Sequence, residues 1–258
     1  LESVTDATFW RCLFEKSTCD SIKTGNTGSG KACRNFVVEN CVFQDNAGGD
    51  GIDTTGGFDN SVVRNTIFRR LGVSGMDIKS HYGSKDEKIG DQEPENSNIL
   101  IENCTFLDTP NGIVLTTGAE KLTVDNIKKY AVHDIDINDC VFGHVEKPLR
   151  PKNEGGYGVN YPTEEGEHMR AILLKDAHSI RYQNIRLFGE RIMLYRIASA
   201  KDGPWAGRLG REAKEALRSL HQMDKSELIT GNVNNKPVPP IKPGVTEVPF
   251  ACGPQPVE

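Results

Sequence analysis

The chain has 258 residues, a formal charge of -5, only 36% hydrophobic and 7% aromatic residues, and 26 glycines and 13 prolines. An acidic balance excludes a nucleic-acid binder that works through a broad basic surface, and no apolar run approaches the roughly 20 residues that span a bilayer, so neither nucleic acid nor membrane insertion is expected. Seven cysteines are too sparse for a disulfide scaffold in a chain of this length and none forms a Cys-x-x-Cys pair, which argues against a zinc site.

In chain order, the first recognisable element is FWRCLF (Phe9 to Phe14). It is a degenerate copy of a pattern that returns as FVVENCVF (Phe36 to Phe43), SVVRNTIF (Ser61 to Phe68), LIENCTF (Leu100 to Phe106), DINDCVF (Asp136 to Phe142) and, with Ile185 and Leu187 at the Cys and Phe positions, IRYQNIRL (Ile180 to Leu187). The pattern reads apolar, x, apolar, x, Asn or Asp, Cys or Thr, x, Phe. Its Cys positions are 12, 41, 66, 104, 140 and 185, which fits a unit of about 25 residues carrying loops of varying length. Alternation with period two predicts short strands, and such a unit cannot bury its apolar face alone, so the units must stack. The expected fold is all-β: a solenoid of parallel strands over residues 1–200, in which equivalent residues of successive turns lie roughly 4.8 Å apart. Asn40, Asn65, Asn103, Asp139 and Asn184 then form a buried polar ladder at a bend, capping backbone groups. The neighbouring cysteines form a ladder of small buried hydrophobes.

Between the first two copies, Cys19 and Cys33 flank a Gly-rich excursion and are either bridged or free. Within it GNTGSGK (Gly25 to Lys31) imitates a phosphate-binding loop, but Ala32 stands where Ser or Thr is needed and no helix pattern follows. Asn103-Cys104-Thr105 is formally a glycosylation sequon, set aside because Asn103 belongs to the ladder. After residue 200 the repeat stops. Trp205, Leu209, Ala213, Ala216, Leu217, Leu220 and Met223 follow helical spacing, predicting an amphipathic helix that docks on the solenoid or caps its open end. The Pro-rich tail from Lys236 reads as an extended strap, so 201–258 forms a second region of helix and tail packing on the solenoid. No capping helix precedes the first turn, and the chain reads as beginning inside its solenoid, with an upstream portion expected.

The N-C-x-F turns with their Asn ladder resemble the right-handed parallel β-helix superfamily that contains pectate lyases, related polysaccharide lyases, polygalacturonases and alginate epimerases. The resemblance covers roughly residues 5 to 200 and is specific for fold, much less so for chemistry. It carries the expectation of a secreted or periplasmic protein, although residues 1 to 10 lack the features of a signal peptide.

Three turns after the Asn ladder align as GDGIDTT (Gly49 to Thr55), SGMDIKS (Ser74 to Ser80) and NGIVLTT (Asn111 to Thr117), with Gly51, Gly75 and Gly112 in one column. This alignment sends Ile52, Met76 and Ile113 inward and Asp53, Asp77 and Val114 out to solvent, followed by Thr55, Lys79 and Thr116 in the next outward column. Two carboxylates one strand spacing apart repel each other unless a cation sits between them or one stays protonated. Calcium suits that pair, with Asp50, and Asp59 or Asp45, completing the shell. Solvated turn carboxylates are the plainer reading. In lyases of the resembling family, calcium-binding acidic residues neutralise the uronate carboxylate and a Lys or Arg takes the C5 proton. The resemblance therefore assigns Asp53 and Asp77 to the acidic position and Lys79 to the base, with His81 or Tyr82 as substitutes. As a base Lys79 needs a lowered pKa; alternatively it merely pairs with Asp53 or Asp77.

Later turns add positive charge, Lys147, Arg150 and Lys152 after the fourth copy and Arg191 and Arg196 after the fifth, suited to clamping the carboxylates of a polyanionic sugar. The insertions Gly83 to Asn96 and Asn153 to Glu167 are expected as groove walls, with Tyr157, Tyr161 and His168 against sugars. The leading expectation is a polysaccharide lyase acting on an acidic, uronate-containing glycan with calcium as cofactor. A hydrolase of the same fold is the first rival, using Asp50, Asp53 and Asp77 as its carboxylates although the signatures of polygalacturonases are absent. An epimerase is weaker, for want of an Asp-Pro-His-Asp motif, and a non-catalytic carbohydrate-binding or structural solenoid is the third class.

Overall fold

The computed structural model describes residues 1, 4–24, 33–46, 48–55, 57–79, 96–117, 123–144, 169–189, 192–198 and 210–236. These residues form six turns of a coil, five made of three strands and the sixth of two, the first of which runs through two sheets. The first sheet contains β1 (Thr8–Trp10), β4 (Val37–Glu39), β7 (Val62–Arg64), β10 (Ile99–Glu102), β13 (Val132–Asn138) and the first part of β16 (Ala177–Phe188). The second contains β2 (Leu13–Glu15), β5 (Val42–Asn46), β8 (Ile67–Leu71), β11 (Thr105–Leu107), β14 (Val141–Gly143) and the rest of β16. The third contains β3 (Ile22–Thr24), β6 (Ile52–Thr54), β9 (Ser74–Lys79), β12 (Asn111–Thr116), β15 (Met169–Lys175) and β17 (Ile192–Ala198). Every pairing is parallel, and the register brings positions 12, 41, 66, 104, 140 and 185 into one column, as the repeat predicts.

The chain turns its corners through residues with positive φ. Asn40, Asn65, Asn103, Asp139 and Asn184 have φ between 49° and 56°, a left-handed conformation that Asn and Asp tolerate better than other side chains. Two further ladders of the same kind start each turn at Asp6, Asn35, Asn60, Asn98, Asp134 and Ser179 and close the second strand at Lys16, Asp45, Arg70 and Asp108. The Asn ladder differs from expectation in two ways. Its backbone N–H groups are already satisfied by the next turn, as when Asn103 N donates to Asn138 O at 2.9 Å, so the side chains bond to one another instead: Asn103 Nδ2 donates to Asn65 Oδ1 at 2.8 Å and Asn184 Nδ2 to Asp139 Oδ1. The ladder is also not buried; Asn65, Asn103 and Asp139 are exposed, because a left-handed corner residue aims its Cβ away from the coil.

The core is a column of aromatic rings. Phe14, Phe43, Phe68, Phe106 and Phe142 stack in series with centroids 4.5 to 4.9 Å apart and planes within 7° of parallel. Ring pairs of this kind contribute about 0.5–1.5 kcal/mol each beyond burial. Beside them Cys41, Cys104 and Cys140 are at most 1% exposed, each Sγ 3.2–3.3 Å from the carbonyl two residues earlier. Burial pushes the Cys41 thiol up to about 11 and Cys140 well up, which makes them inert. Thr66 takes the same column because its Oγ1 donates to the equivalent carbonyl, Arg64 O, at 2.9 Å. Cys19 is exposed and Cys33 buried, both as thiols rather than a bridge, and Gly25 to Lys31 lies outside the described residues.

The amphipathic helix is present as α2 (Arg211–His221), following a short α1 (Ile127–Tyr130) between β12 and β13. Ala213, Ala216, Leu217 and Leu220 of α2 bury against Ile127 and Ala131, so the helix docks on the side of the coil. Trp205 and Leu209 fall outside the described residues. The repeat does not end with the sixth turn: α3 (Lys225–Leu228) leads into β18 (Ile229–Val233), which pairs in parallel with β16. The repeat pattern could not show this strand, since Ile-Thr-Gly-Asn-Val carries neither the Cys nor the Phe. No helix among the described residues is long and apolar enough to cross a membrane.

Candidate functional site

The third sheet places the charged groups. Its register stacks Ile22, Ile52, Met76, Ile113 and Ile172 inward, and therefore Lys23, Asp53, Asp77, Val114, Leu173 and Arg196 in one outward column. A second outward column follows with Lys79, Thr116 and Lys175. The glycine column makes this possible: a Cβ on Gly75 would lie 2.5 Å from the Phe106 ring and 2.7 Å from the Gly112 carbonyl, so only glycine lets the third sheet close against the Phe stack.

The aligned side chains are outward but not in solvent, which corrects the expectation of an open face. Asp53 is 2% exposed, Asp77 7%, Val114 1% and Leu173 1%. The carboxylates are covered by lysines that run across them. Lys79 Nζ is 2.7 Å from Asp53 Oδ1 and 3.0 Å from Asp77 Oδ2, and Lys23 Nζ is 2.5 Å from Asp53 Oδ2 and 3.0 Å from Asp20 Oδ2. Asp20 Oδ1 in turn accepts from the Asp50 backbone N–H at 3.0 Å. Oxygens of Asp20, Asp50 and Asp53 lie within 4.8 Å of one another.

Burial and mutual repulsion sort these groups. Burial, with Asp77 next to it, pushes the Asp50 carboxyl far above the usual carboxylate range, and burial raises Asp77 as well. Asp53 goes the other way: burial opposes its charge, but Lys79 and Lys23 outweigh it and hold the carboxyl low. Lys79 itself is pushed down by burial and pulled up further by Asp77, Asp53 and Asp50, ending well above the ordinary lysine value. That is opposite to the direction a base requires, and the Lys79 pairing with Asp53 and Asp77 is realised.

Among the described lysines the one with the lowered value is Lys175, which the alignment of three turns did not reach. Burial, reinforced by Arg170, Lys79 and Arg196 against the pull of Asp77, brings its amine down to about 8. Its signal in the sequence is that AILLK repeats the NGIVLT register, but the long insertion before it hides the match. Asp20 and Lys23 were also missed; they precede and follow Ile22 as Asp50 and Asp53 precede and follow Ile52. Asp45 and Asp59 do not join the cluster. Asp45 makes a two-point pair with Arg70 at 2.6 and 2.8 Å, and Asp59 accepts from Ser97. Arg196 does stand in the outward column, near Lys175. His81, Tyr82, Arg150, Lys152, Tyr157, His168 and Arg191 lie outside the described residues.

The cluster fits a hard cation. Asp50 Oδ1 and Asp77 Oδ1 are buried without a hydrogen-bond partner, all the donors are oxygens, and an acidic triad of this kind could hold a metal ion. Asp20, Asp50 and Asp53 are the residues that would contribute.

A family model for a right-handed beta helix region matches residues 3–142, more than half of the chain. The chain belongs to the right-handed β-helix family. No curated protein and no solved structure matches it. This family is compatible with carbohydrate-active enzymes and with carbohydrate binders, and the third sheet here carries carboxylates paired with Lys23 and Lys79 on its first three turns and basic groups on its last two.

Proposed function

We propose that this β-helix is a polysaccharide lyase that cleaves a uronate-containing acidic glycan by cation-assisted β-elimination. The observation that carries the reading is the charge order of the third sheet, where buried carboxylates with their lysine partners on the first three turns are followed by Arg170, Lys175 and Arg196 on the last two. Exposed Arg196 offers a two-point contact to a sugar carboxylate. Lys175 has the low proton affinity that a base working near neutral pH needs, while Lys79 serves as the cation between Asp53 and Asp77. The C5 proton passes to Lys175 Nζ, the electron pair of the C5–H bond forms the C4–C5 double bond, and the C4–O4 bond breaks with O4 taking a proton from solvent water. Calcium bound by Asp20, Asp50 and Asp53 would draw charge from the uronate carboxylate and acidify that proton.

The proximity of Asp20, Asp50 and Asp53 favours one second reading, a glycoside hydrolase with two of these carboxyls as acid and base. Mass spectrometry of oligosaccharide products separates the two. Elimination gives a new end one water lighter than the product of hydrolysis, and products with saturated ends only would overturn the lyase reading.

A further inference from the structure

A second recess lies away from the charged sheet, on the outer side of β16. Between α1, β16 and the α3–β18 segment is a cleft of about 360 Å³, within the size range of small-ligand sites. Its polar groups are set in advance. His178 Nε2 lies 2.9 Å from the Lys128 carbonyl, which can only accept, so this nitrogen carries the proton. Burial keeps the ring neutral, and Nδ1 therefore accepts the Ser179 hydroxyl proton at 2.9 Å. The Ser226 hydroxyl is likewise spent on Asp224 Oδ1 at 2.5 Å. Both serine oxygens on the cleft wall are thus left as acceptors, joined by the Glu227 carboxylate.

The charges around the cleft cancel. Arg181 is matched by Asp136 at 2.6 and 2.9 Å, with Asp134 beyond, and Lys128 and Glu227 stand at the rim with opposite signs. A free anion would meet acceptors and Glu227, and a free cation would meet Lys128. A neutral polyol suits both, since each of its hydroxyls gives one hydrogen bond and accepts another, and half-buried Met223 offers an apolar wall to a sugar ring.

We infer that this cleft is a docking subsite for a neutral sugar unit, distinct from the charged face. Its ligand class rests on the carbohydrate reading of the protein. The test is a titration of the isotope-labelled protein with neutral trisaccharides of glucose, galactose and mannose, following the backbone amides of Lys128, Met223, Ser226 and Thr230. The expected result is saturable shifts confined to these amides with at least one sugar, in the millimolar range, weakened about fivefold or more in the double variant Glu227→Ala, Thr230→Val. Both positions are exposed, so the fold is not at stake. No shift with any sugar, shifts unchanged in the variant, or displacement of the sugar by inorganic phosphate would each overturn the inference. Turnover is measured separately: a protein that cleaves uronate polymers but gives no shifts loses the subsite alone, and one that gives the shifts but cleaves nothing loses the lyase reading alone.

Discussion

Asp53 and Lys79 stand on adjacent turns of one sheet, and the Lys79 ammonium lies 2.7 Å from an Asp53 carboxylate that is otherwise closed off from water. Asp77 shares the same ammonium at 3.0 Å. Removing it in Lys79→Ala strands buried carboxylates, and losing one partner of such a pair costs about 3–5 kcal/mol. Urea denaturation of the variant in chelator should show a loss of that order, and added calcium should recover much of it. A variant as stable as the parent and indifferent to calcium would show that the carboxylates are not held by charge.

Lys175 predicts a gain in stability at the expense of activity. Its amine is at about 8 in the folded chain against the ordinary lysine value of 10.5. Below pH 8 both folded and unfolded chains carry the proton, and the folded state bears the full penalty of about 3 kcal/mol. Between pH 8 and 10.5 the unfolded chain binds more protons than the native one, so stability rises with pH across that window. Lys175→Met should be more stable at pH 7 by up to about 3 kcal/mol, should lose the rise above pH 8, and should have no turnover. Turnover retained in the folded variant would remove Lys175 as the base.

The core column separates two substitutions one residue apart in kind. Phe106 is fully buried with rings on both sides at 4.8 Å, and Phe106→Ala should cost about 3–5 kcal/mol through the cavity it opens. Cys104→Thr should cost about 1 kcal/mol or less, because Thr66 already holds the same position by donating to the carbonyl two residues back. Equal losses in thermal or urea unfolding would contradict the equivalence of the Cys and Thr positions.

The docking of α2 is a local affair. Ala216 is fully buried against α1, and Ala216→Glu places an unpaired charge there. Hydrogen exchange should quicken across α2 and α1 while the strands of the first four turns keep their protection, since turns of a solenoid contact only their neighbours. Loss of protection throughout would mean that the helix holds the coil together.

Much of the architecture was legible because a solenoid writes its register into the sequence. The Cys and Asn columns and the Gly51, Gly75 and Gly112 alignment all coincide in space, since one slipped residue would turn the Phe stack outward. The site was legible only in part. Periodicity shows that Asp53 and Asp77 leave the core, but not what covers them, and Lys23 reaches Asp53 from a turn whose third strand has no repeat signature. Lys175 owes its altered amine to burial and to Arg170, Lys79 and Arg196, charges that come from three different turns of the third sheet. Strand β18 was hidden because it continues the coil by backbone pairing without the repeat residues.

The most direct test of the lyase account is the ultraviolet absorbance of an unsaturated uronate product, followed with polygalacturonate, alginate and glycosaminoglycan substrates in calcium and in chelator. The account predicts a rise with at least one polymer in calcium, abolished by chelator and absent in Lys175→Met. No rise with any of these polymers from the folded, calcium-loaded protein would contradict it.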